Sequence, residues 1–182
     1  DTGGPPPVTY SSLDEVLEPL RAEWGLPSLG AAVVTGAEVT ELGAVGLRSA
    51  ESEVSVTHSD KFHLGSNTKA MTASLTARLV EEGVVEWDTT MAEAFPDLAI
   101  HEDFQGVTLQ MMLAHVGGLS TSIEDDVWSP LWTSGDVETQ RAWFVEQMLL
   151  SPPSYDPGTA FMYSNSGYMI VGAALEAATG TS

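Results

Sequence analysis

The chain has 182 residues, 43% of them hydrophobic, and carries 26 acidic against 6 basic residues, which gives a net charge of −20 at pH 7. This size and composition predict a globular domain with a core. The acidic surface argues against nucleic-acid or membrane-surface binding because it repels phosphate groups. No apolar run approaches the roughly 20 residues that span a bilayer, and the absence of cysteine excludes disulfides and thiol catalysis.

The first 57 residues are predicted to contribute the sheet of the fold. Residues 1–11 begin with DTGGPPP, which is typical of a flexible lead-in. Ser12 then opens a helical stripe, and Glu15 stands at the capping-box distance from it. Pro19 is expected to kink this helix or to divide it into two short pieces, because proline cannot donate a backbone hydrogen bond.

Two strands are predicted next, over residues 29–35 and 38–46. Gly36 and Ala37 separate them and predict a tight turn. A weaker strand is expected near residues 53–56, so the part of the chain from 12 to 57 should form two or three strands after its first helix.

Residues from about 58 to 182 are predicted to be mainly helical. One helix follows Ser66 and is expected to stop at Gly83. Its predicted apolar face consists of Met71, Leu75, Leu79 and Val80. Three further helices are predicted, after Thr108, from Val137 to Leu150 and from Gly167 to Ala178. Strands followed by helices, rather than an alternation of the two, predict the α+β class.

Ser66 and Lys69 stand three residues apart at a predicted helix start. Residues at this spacing are neighbours on a helix, so the Lys69 amine can reach the Ser66 hydroxyl. A serine hydroxyl needs an adjacent base to act as a nucleophile, and a lysine with a lowered pKa can serve as that base or assist it. The helix N-terminus also offers N–H groups to a developing oxyanion. An N-cap serine beside an exposed lysine is the alternative interpretation, which the pattern alone does not exclude.

Tyr163 and Asn165 add context to this pair. Tyr163 follows the turn-rich stretch YDPGTAF, which is expected to present it in a cleft, and precedes a predicted helix. A phenol near a lysine ammonium loses its proton more easily and can act as a general base. The amide of Asn165 can hold a lysine or a substrate carbonyl in place.

These residues resemble the serine β-lactamase and penicillin-binding-protein superfamily, and most of all its class C branch, which includes esterases and D-amino peptidases. GSNTK (65–69) matches the S-x-x-K motif and YSN (163–165) matches the Y-x-N motif. Supporting likeness extends over residues 80–98, 107–120 and 156–180, with the motifs in the family's order. The resemblance implies an antiparallel sheet flanked by helices plus a helical body.

The same resemblance implies a role for each matching residue. Ser66 would be acylated, and Lys69 would help to move its proton. Tyr163 would serve as, or share, the general base and then activate the water that hydrolyses the acyl-enzyme. Asn165 would orient the lysine and contact the substrate amide. The backbone N–H of Ser66 would be one oxyanion donor.

One family feature is missing from the sequence. A third motif, Lys-Thr-Gly or His-x-Gly, normally lies on a strand after the Y-x-N helix. His115-Val116-Gly117 has these letters but precedes Tyr163, and it is interpreted as structural. Residues 12–182 are therefore expected to be the N-terminal portion of one catalytic domain that lacks the C-terminal strands. A second polypeptide, from cleavage or separate expression, is expected to supply them, because two or three strands alone leave sheet edges unpaired.

Neither a metal nor a cofactor is predicted, because His63, His101 and His115 lack the spacing of metal ligands. Trp128 either packs in the helical body or lines the substrate cleft. The aromatic residues around it slightly favour an esterase or peptidase over a dedicated β-lactamase.

The function predicted from these features is acyl transfer through a covalent acyl-enzyme, with β-lactams, small esters or D-amino-acid peptides as substrates. A non-catalytic binding or scaffold protein, or an inactive fragment, is the alternative. The family resemblance implies a periplasmic or extracellular location, although the sequence shows no targeting signal.

Overall fold

The computed structural model describes residues 10–123, 127 and 135–181. The chain divides into two compact units, one ending at Leu64 and the other beginning at Gly65. Within the described residues, the first unit contains a helix and a two-stranded antiparallel sheet, and the second contains helices. This is the α+β organisation that the order of the sequence patterns predicts.

Helix α1 (Leu13–Glu23) and strands β1 (Ser28–Thr35) and β2 (Glu38–Gly46) make up the first unit. The strands pair antiparallel across the predicted turn, so the hairpin prediction is confirmed to within one residue. The prediction of a strand near residues 53–56 is wrong, because Ser55 forms only an isolated bridge with Leu47. A bridge of this kind aligns the chain locally without extending the sheet.

Helix α1 starts where the sequence predicts. The Ser12 hydroxyl accepts a hydrogen bond from the Glu15 N–H at 3.4 Å. The Glu15 carboxylate reaches one residue further back than a capping box requires and accepts the Ser11 N–H at 2.9 Å. The helix continues through Pro19, so the prediction that this residue divides it into two pieces is wrong. Packing of the helix on β2 explains this outcome, because tertiary contacts routinely outweigh a local helix breaker.

The contact between α1 and β2 depends on the absence of a side chain at Gly43. A Cβ atom at this position would lie 2.8 Å from Leu17 Cδ1, which is closer than two carbon atoms pack. The close approach buries Leu17, and it lets the Asp14 carboxylate accept the Ala44 N–H at 2.8 Å. The hairpin is therefore covered by α1 along β2.

Much of the hairpin's apolar surface stays exposed. The exposed apolar side chains on its two strands are Val33, Val34, Val39 and Leu42. A two-stranded sheet is at best marginally stable by itself, and exposed apolar strands favour association with further polypeptide. These side chains form an exposed apolar surface on the first unit.

Six helices are described in the second unit: α2 (Asn67–Glu81), α3 (Met91–Ala94), α4 (Glu102–Gln105), α5 (Leu109–Leu113), α6 (Val137–Leu150) and α7 (Asn165–Thr179). The bounds of α6 are those predicted, because Asp136 caps the Thr139 N–H at 2.8 Å. Helix α7 starts two residues earlier than predicted, and Gly180 is its C-cap. The one-turn helices α3 and α4 were not predicted. No described helix has the length and apolar character needed to cross a membrane.

The predicted apolar face of α2 is only partly correct. Leu79 is buried, but Met71 and Leu75 are 57% and 50% exposed, and Thr76 is fully buried in their place. The Thr76 hydroxyl can be buried because it donates to the Thr72 carbonyl at 2.9 Å. The buried face is set by the neighbouring helices, which a hydrophobicity pattern does not specify.

The core of the second unit is built around α7, α5 and α6. Its large fully buried side chains include Met91, Phe104, Leu109, Met112, Phe144, Leu149, Ile170 and Val171. Because protein interiors are close-packed, these residues hold the helix ends in fixed relative positions. The N-termini of α2 and α7, which carry the two sequence motifs, both belong to this unit.

A turn after α5 holds the segment that leads into α7. Gly118 has a φ of +86°, and a Cβ atom there would lie 2.9 Å from Pro153 and 3.0 Å from the Tyr155 carbonyl oxygen. Its own carbonyl accepts the Ser154 N–H at 2.9 Å, and the Val116 carbonyl accepts the Gly158 N–H at 2.8 Å. These contacts fix the backbone of residues 154–158, which lead to Tyr163.

Candidate active site

Ser66 lies at the N-cap position of α2, and its side chain is available for chemistry. The hydroxyl makes no capping hydrogen bond to the helix, unlike the side chains that cap α1, α3, α5 and α6. The residue is exposed and already has near-helical dihedral angles, φ −71° and ψ −6°. The Ser66 side chain therefore does not serve as a hydrogen-bonding cap of α2.

Lys69 lies one turn further along α2 and contacts polar and aromatic partners. Its Nζ donates to Ser66 Oγ at 3.4 Å and to Asn165 Oδ1 at 2.6 Å. The ammonium also lies 4.6 Å from the centre of the Tyr163 ring. Within the described part of the chain no carboxylate forms an ion pair with Lys69, so its positive charge acts on these neighbours.

Tyr163 reaches the same point from a position 97 residues away in the sequence. Its hydroxyl donates to Ser66 Oγ at 2.5 Å, and its side chain is 37% exposed. The helix that follows places Asn165 in its first turn, from which the amide oxygen accepts the Lys69 ammonium. The fold thus brings the hydroxyl, the amine, the phenol and the amide into one hydrogen-bonded group.

The charges of this group favour the phenolate form of Tyr163. The interaction with Lys69 and, next, the hydrogen bond with Ser66 hold the pKa of Tyr163 below its ordinary value. A nearby cation favours the deprotonated phenol, and a phenolate can take a proton from the serine hydroxyl. The second tyrosine of the region behaves in the opposite way, because burial raises the pKa of Tyr168.

A groove of about 640 Å³ lies beside this group, between α2 and α7. Lys69 and Asn165 belong to its lining, together with Thr72, Tyr168 and Met169. Ser66 and Tyr163 lie at the surface outside the lining of this groove. Trp128, the predicted cleft residue, lies outside the described residues.

Two residues in the group's surroundings were not identified as functional from the sequence. The His115 ring lies 4.6 Å from the Tyr163 ring, and Tyr168 lies 5.5 Å from Lys69 Nζ, measured to its ring centre. Tyr168 has a sequence signal, since it follows Asn165 by three residues on one helix face. His115 has no comparable local signal and was interpreted as structural.

Titration of the tyrosines provides a direct measure of this environment. Tyr163 is expected to ionise below the ordinary tyrosine pKa of about 10, because Lys69 and Ser66 stabilise its phenolate. Ultraviolet difference absorbance against pH should show one early transition, absent in Tyr163→Phe. In Lys69→Met the transition should move up toward the ordinary pKa of about 10. A wild-type curve without an early transition would contradict this account.

Comparison with known proteins identifies the family of the chain. Residues 13–182 match the Beta-lactamase family model. Penicillin-binding protein 4 of Amycolatopsis lactamdurans is 29% identical over 97% of this chain and 45% of that protein. A crystal structure of SurE with D-Leu has a TM-score of 0.73 at 29% identity, over 92% of this chain and 35% of that one.

A class C β-lactamase structure has a TM-score of 0.74 at 22% identity, over 93% of this chain and 44% of that one, which supports the fold alone. The predicted β-lactamase/transpeptidase fold class is thereby confirmed for the part of the fold that these residues form. The chain spans less than half the length of each of these three relatives. Because the family model matches nearly the entire chain, the protein belongs to the Beta-lactamase family.

Proposed function

We propose that these residues carry the nucleophile and the general base of a serine hydrolase that works through a covalent acyl-enzyme. The observation that carries the proposal is the position of Ser66 Oγ, 2.5 Å from the Tyr163 hydroxyl and 3.4 Å from Lys69 Nζ. A nucleophile within hydrogen-bond reach of its base, with the base held by a third group, is the arrangement that activated serines require. A protein that used the fold for binding alone would have no need of this alignment.

Acylation follows from the geometry of the group. The Tyr163 phenolate takes the proton of the Ser66 hydroxyl as the oxygen forms a bond to the substrate's carbonyl carbon. The Lys69 ammonium stabilises the phenolate before the step and is held by Asn165. The Ser66 N–H at the start of α2 donates to the carbonyl oxygen as negative charge develops on it. The leaving group then departs with the proton that Tyr163 had accepted.

Deacylation uses Tyr163 as the base a second time, with water in place of Ser66 as the nucleophile. Tyr163, again as phenolate, takes a proton from a water molecule, whose oxygen attacks the acyl carbon. The bond to Ser66 Oγ breaks, and the serine oxygen recovers the proton from Tyr163. The same phenol can serve both steps, because an exposed fraction of 37% leaves room for water beside it.

The proposed substrates are β-lactams, small esters or D-amino-acid peptides. The D-amino-acid class is supported by a relative that is 29% identical and was crystallised with D-Leu. Penicillin-binding protein 4, at the same identity, supports a penicillin-like acylating agent. Hydrolysis rates for one member of each class, measured on a single preparation, would rank them.

Covalent labelling tests the proposal against the alternative of a binding or scaffold protein. The protein is incubated with a fluorescent penicillin and, separately, with a fluorophosphonate. We expect one adduct per chain, located by peptide mass mapping in the peptide that contains Ser66. Absence of an adduct with both probes, or an adduct on another serine, would reject the acyl-enzyme and favour the scaffold.

We further propose that a second polypeptide completes the catalytic unit. The exposed apolar side chains of the hairpin and the exposed Met71 and Leu75 of α2 support this, together with the greater length of the relatives. Native mass spectrometry of the protein from its natural source should show a non-covalent complex heavier than 19.3 kDa. A longer single chain, or an active monomer of 19.3 kDa, would contradict it.

A periplasmic or extracellular location is part of the same proposal. It is supported by membership of the Beta-lactamase family. Fractionation of the source cells, followed by detection of the labelled Ser66 peptide, would measure where the protein resides. Recovery of the label in the cytosolic fraction would reject this location.

A further inference from the structure

His115 occupies a backbone conformation that L-amino acids avoid. Its φ is +61°, and it is the single non-glycine residue with positive φ in the described part of the chain. This left-handed conformation is unfavourable for a residue with a Cβ atom, because the Cβ atom comes too close to the following carbonyl oxygen. Such conformations persist where surrounding contacts enforce them, and they concentrate at functional sites. The contacts of His115 therefore indicate what the conformation accomplishes.

Two hydrogen bonds connect His115 to the residues on either side of Tyr163. The His115 carbonyl accepts the Met162 N–H at 2.8 Å, and its Nδ1 accepts the Ser164 N–H at 3.1 Å. Both amides are held by one residue, because the left-handed backbone directs its carbonyl and its ring toward the same segment. Tyr163 lies between two anchored peptide groups, which restricts rotation of its backbone.

The ring of His115 also packs against aromatic side chains at the site. It lies 4.6 Å from the Tyr163 ring at an angle of 34°, and 5.2 Å from the Tyr168 ring at 41°. Phe161 contacts it edge-on at 5.6 Å. These contacts add a lateral restraint on the phenol, which must stay at 2.5 Å from Ser66 Oγ for proton transfer.

From these contacts, and resting on the proposed function, we propose that neutral His115 is a positioning residue that holds Tyr163 against Ser66 and that its protonation releases this restraint. A backbone N–H can only donate, so Nδ1 must carry no proton and Nε2 must carry it. Protonation of Nδ1 removes the acceptor for Ser164. It also places a second positive charge near Lys69.

The surroundings of His115 keep it neutral. The titratable groups facing it are Lys69 on α2, Tyr168 on α7, and Tyr155 and Tyr163 in the segment that leads into α7. Burial and then the charge of Lys69 lower the pKa of His115 below its ordinary value of about 6.5. Because the folded-state pKa is the lower one, the restraint persists below pH 6.5 and is lost as the pH falls through the folded-state value.

Two substitutions of His115 test separately the contribution of its Nδ1 acceptor and that of its aromatic ring. His115→Asn keeps an acceptor, tolerates positive φ and does not titrate, whereas His115→Phe keeps an aromatic ring without an acceptor. Acylation of the intact protein, with any co-purifying chain, is measured with a fluorescent penicillin across pH. We expect His115→Phe to lower the acylation rate constant about 10- to 100-fold with little change in probe affinity. His115→Asn should recover most of this loss.

The acidic limb of the pH profile distinguishes positioning from a merely structural role. In the wild type, protonation of His115 should add a further fall of about 10- to 100-fold to the slope-one limb that protonation of Tyr163 produces, so the plot of log rate against pH steepens above a slope of one over that interval. In His115→Asn the slope should stay at one. His101→Asn is the matched control, because the Nδ1 of His101 also accepts a backbone N–H, that of Asp103 at 3.3 Å, away from the site. It should keep the wild-type profile.

Nuclear magnetic resonance of the unmodified protein tests the restraint without relying on activity. Long-range nitrogen–proton spectra of the His115 ring should show a proton on Nε2 and none on Nδ1 at neutral pH. The Ser164 amide should be protected from hydrogen exchange. If no probe labels Ser66, the proposed function fails, but these spectra still show whether His115 Nδ1 accepts the Ser164 N–H and so restrains the segment around Tyr163. A proton on Nδ1, or wild-type rate and slope in His115→Phe, would overturn the proposal.

Discussion

Replacement of Ser66 by alanine is expected to abolish covalent labelling and to lower substrate hydrolysis by at least about 10⁴-fold. The loss is this large because the Ser66 hydroxyl, 2.5 Å from the Tyr163 hydroxyl at the start of α2, is the proposed nucleophile. The fold should be unaffected. The Ser66 hydroxyl caps no helix and is exposed, so its removal neither frays α2 nor leaves a cavity. Intact-mass measurement after incubation with the two probes would follow the loss.

Ser74→Ala is the matched control for this substitution. Ser74 lies on the same helix, is exposed, and donates to the Ala70 carbonyl at 2.8 Å. Its replacement removes an equal number of atoms from α2 without touching the site, and it should leave labelling intact. Labelling of Ser66→Ala at the wild-type rate would show that the nucleophile is another residue.

Replacement of Tyr163 by phenylalanine is expected to lower the acylation rate about 10²- to 10⁴-fold, the usual contribution of a general base. The ring and its contact with His115 remain in this variant, so the substitution removes the proton acceptor alone. Probe affinity should change little, because the loss occurs in the transition state. Single-turnover kinetics across pH would separate the rate constant from the affinity.

Tyr168→Phe provides the comparison for Tyr163→Phe. The Tyr168 hydroxyl donates to the Leu113 carbonyl at 3.0 Å, and its ring lies near Lys69 in the same way as that of Tyr163. Loss of this hydroxyl should cost far less activity than loss of the Tyr163 hydroxyl. Equal losses in the two variants would indicate that either phenol acts through general packing, and Lys69 would then be the remaining candidate for the base.

The distances around Lys69 indicate how this residue acts on Ser66 and Tyr163. Its Nζ is 2.6 Å from Asn165 Oδ1 but 3.4 Å from Ser66 Oγ, so the closer partner of the serine is the phenol. A lysine that stays charged stabilises the phenolate and cannot itself take a proton. These distances support the proposal that Tyr163 is the base and that Lys69 is the cation that lowers its pKa.

Local sequence signals predicted those elements whose ends are set by neighbouring residues. The bounds of α6 follow from the Asp136 cap, and the hairpin follows from the turn at residues 36 and 37. Predictions failed where distant contacts decide. Pro19 stays inside α1 because the helix packs on β2, and α2 buries Thr76 rather than Met71 because its neighbours lie on that side.

The pairing of Ser66 with Lys69 was determined by the sequence, because residues three apart on any helix are neighbours. The sequence also provided the motif letters at 163–165, and hence the family. Only the tertiary structure decided that Tyr163 lies at the Ser66 hydroxyl and that His115, with its left-handed backbone, holds both flanking amides. The physical reason is that these contacts join groups 47 to 97 residues apart, whose meeting depends on how α5 and α7 pack around one core.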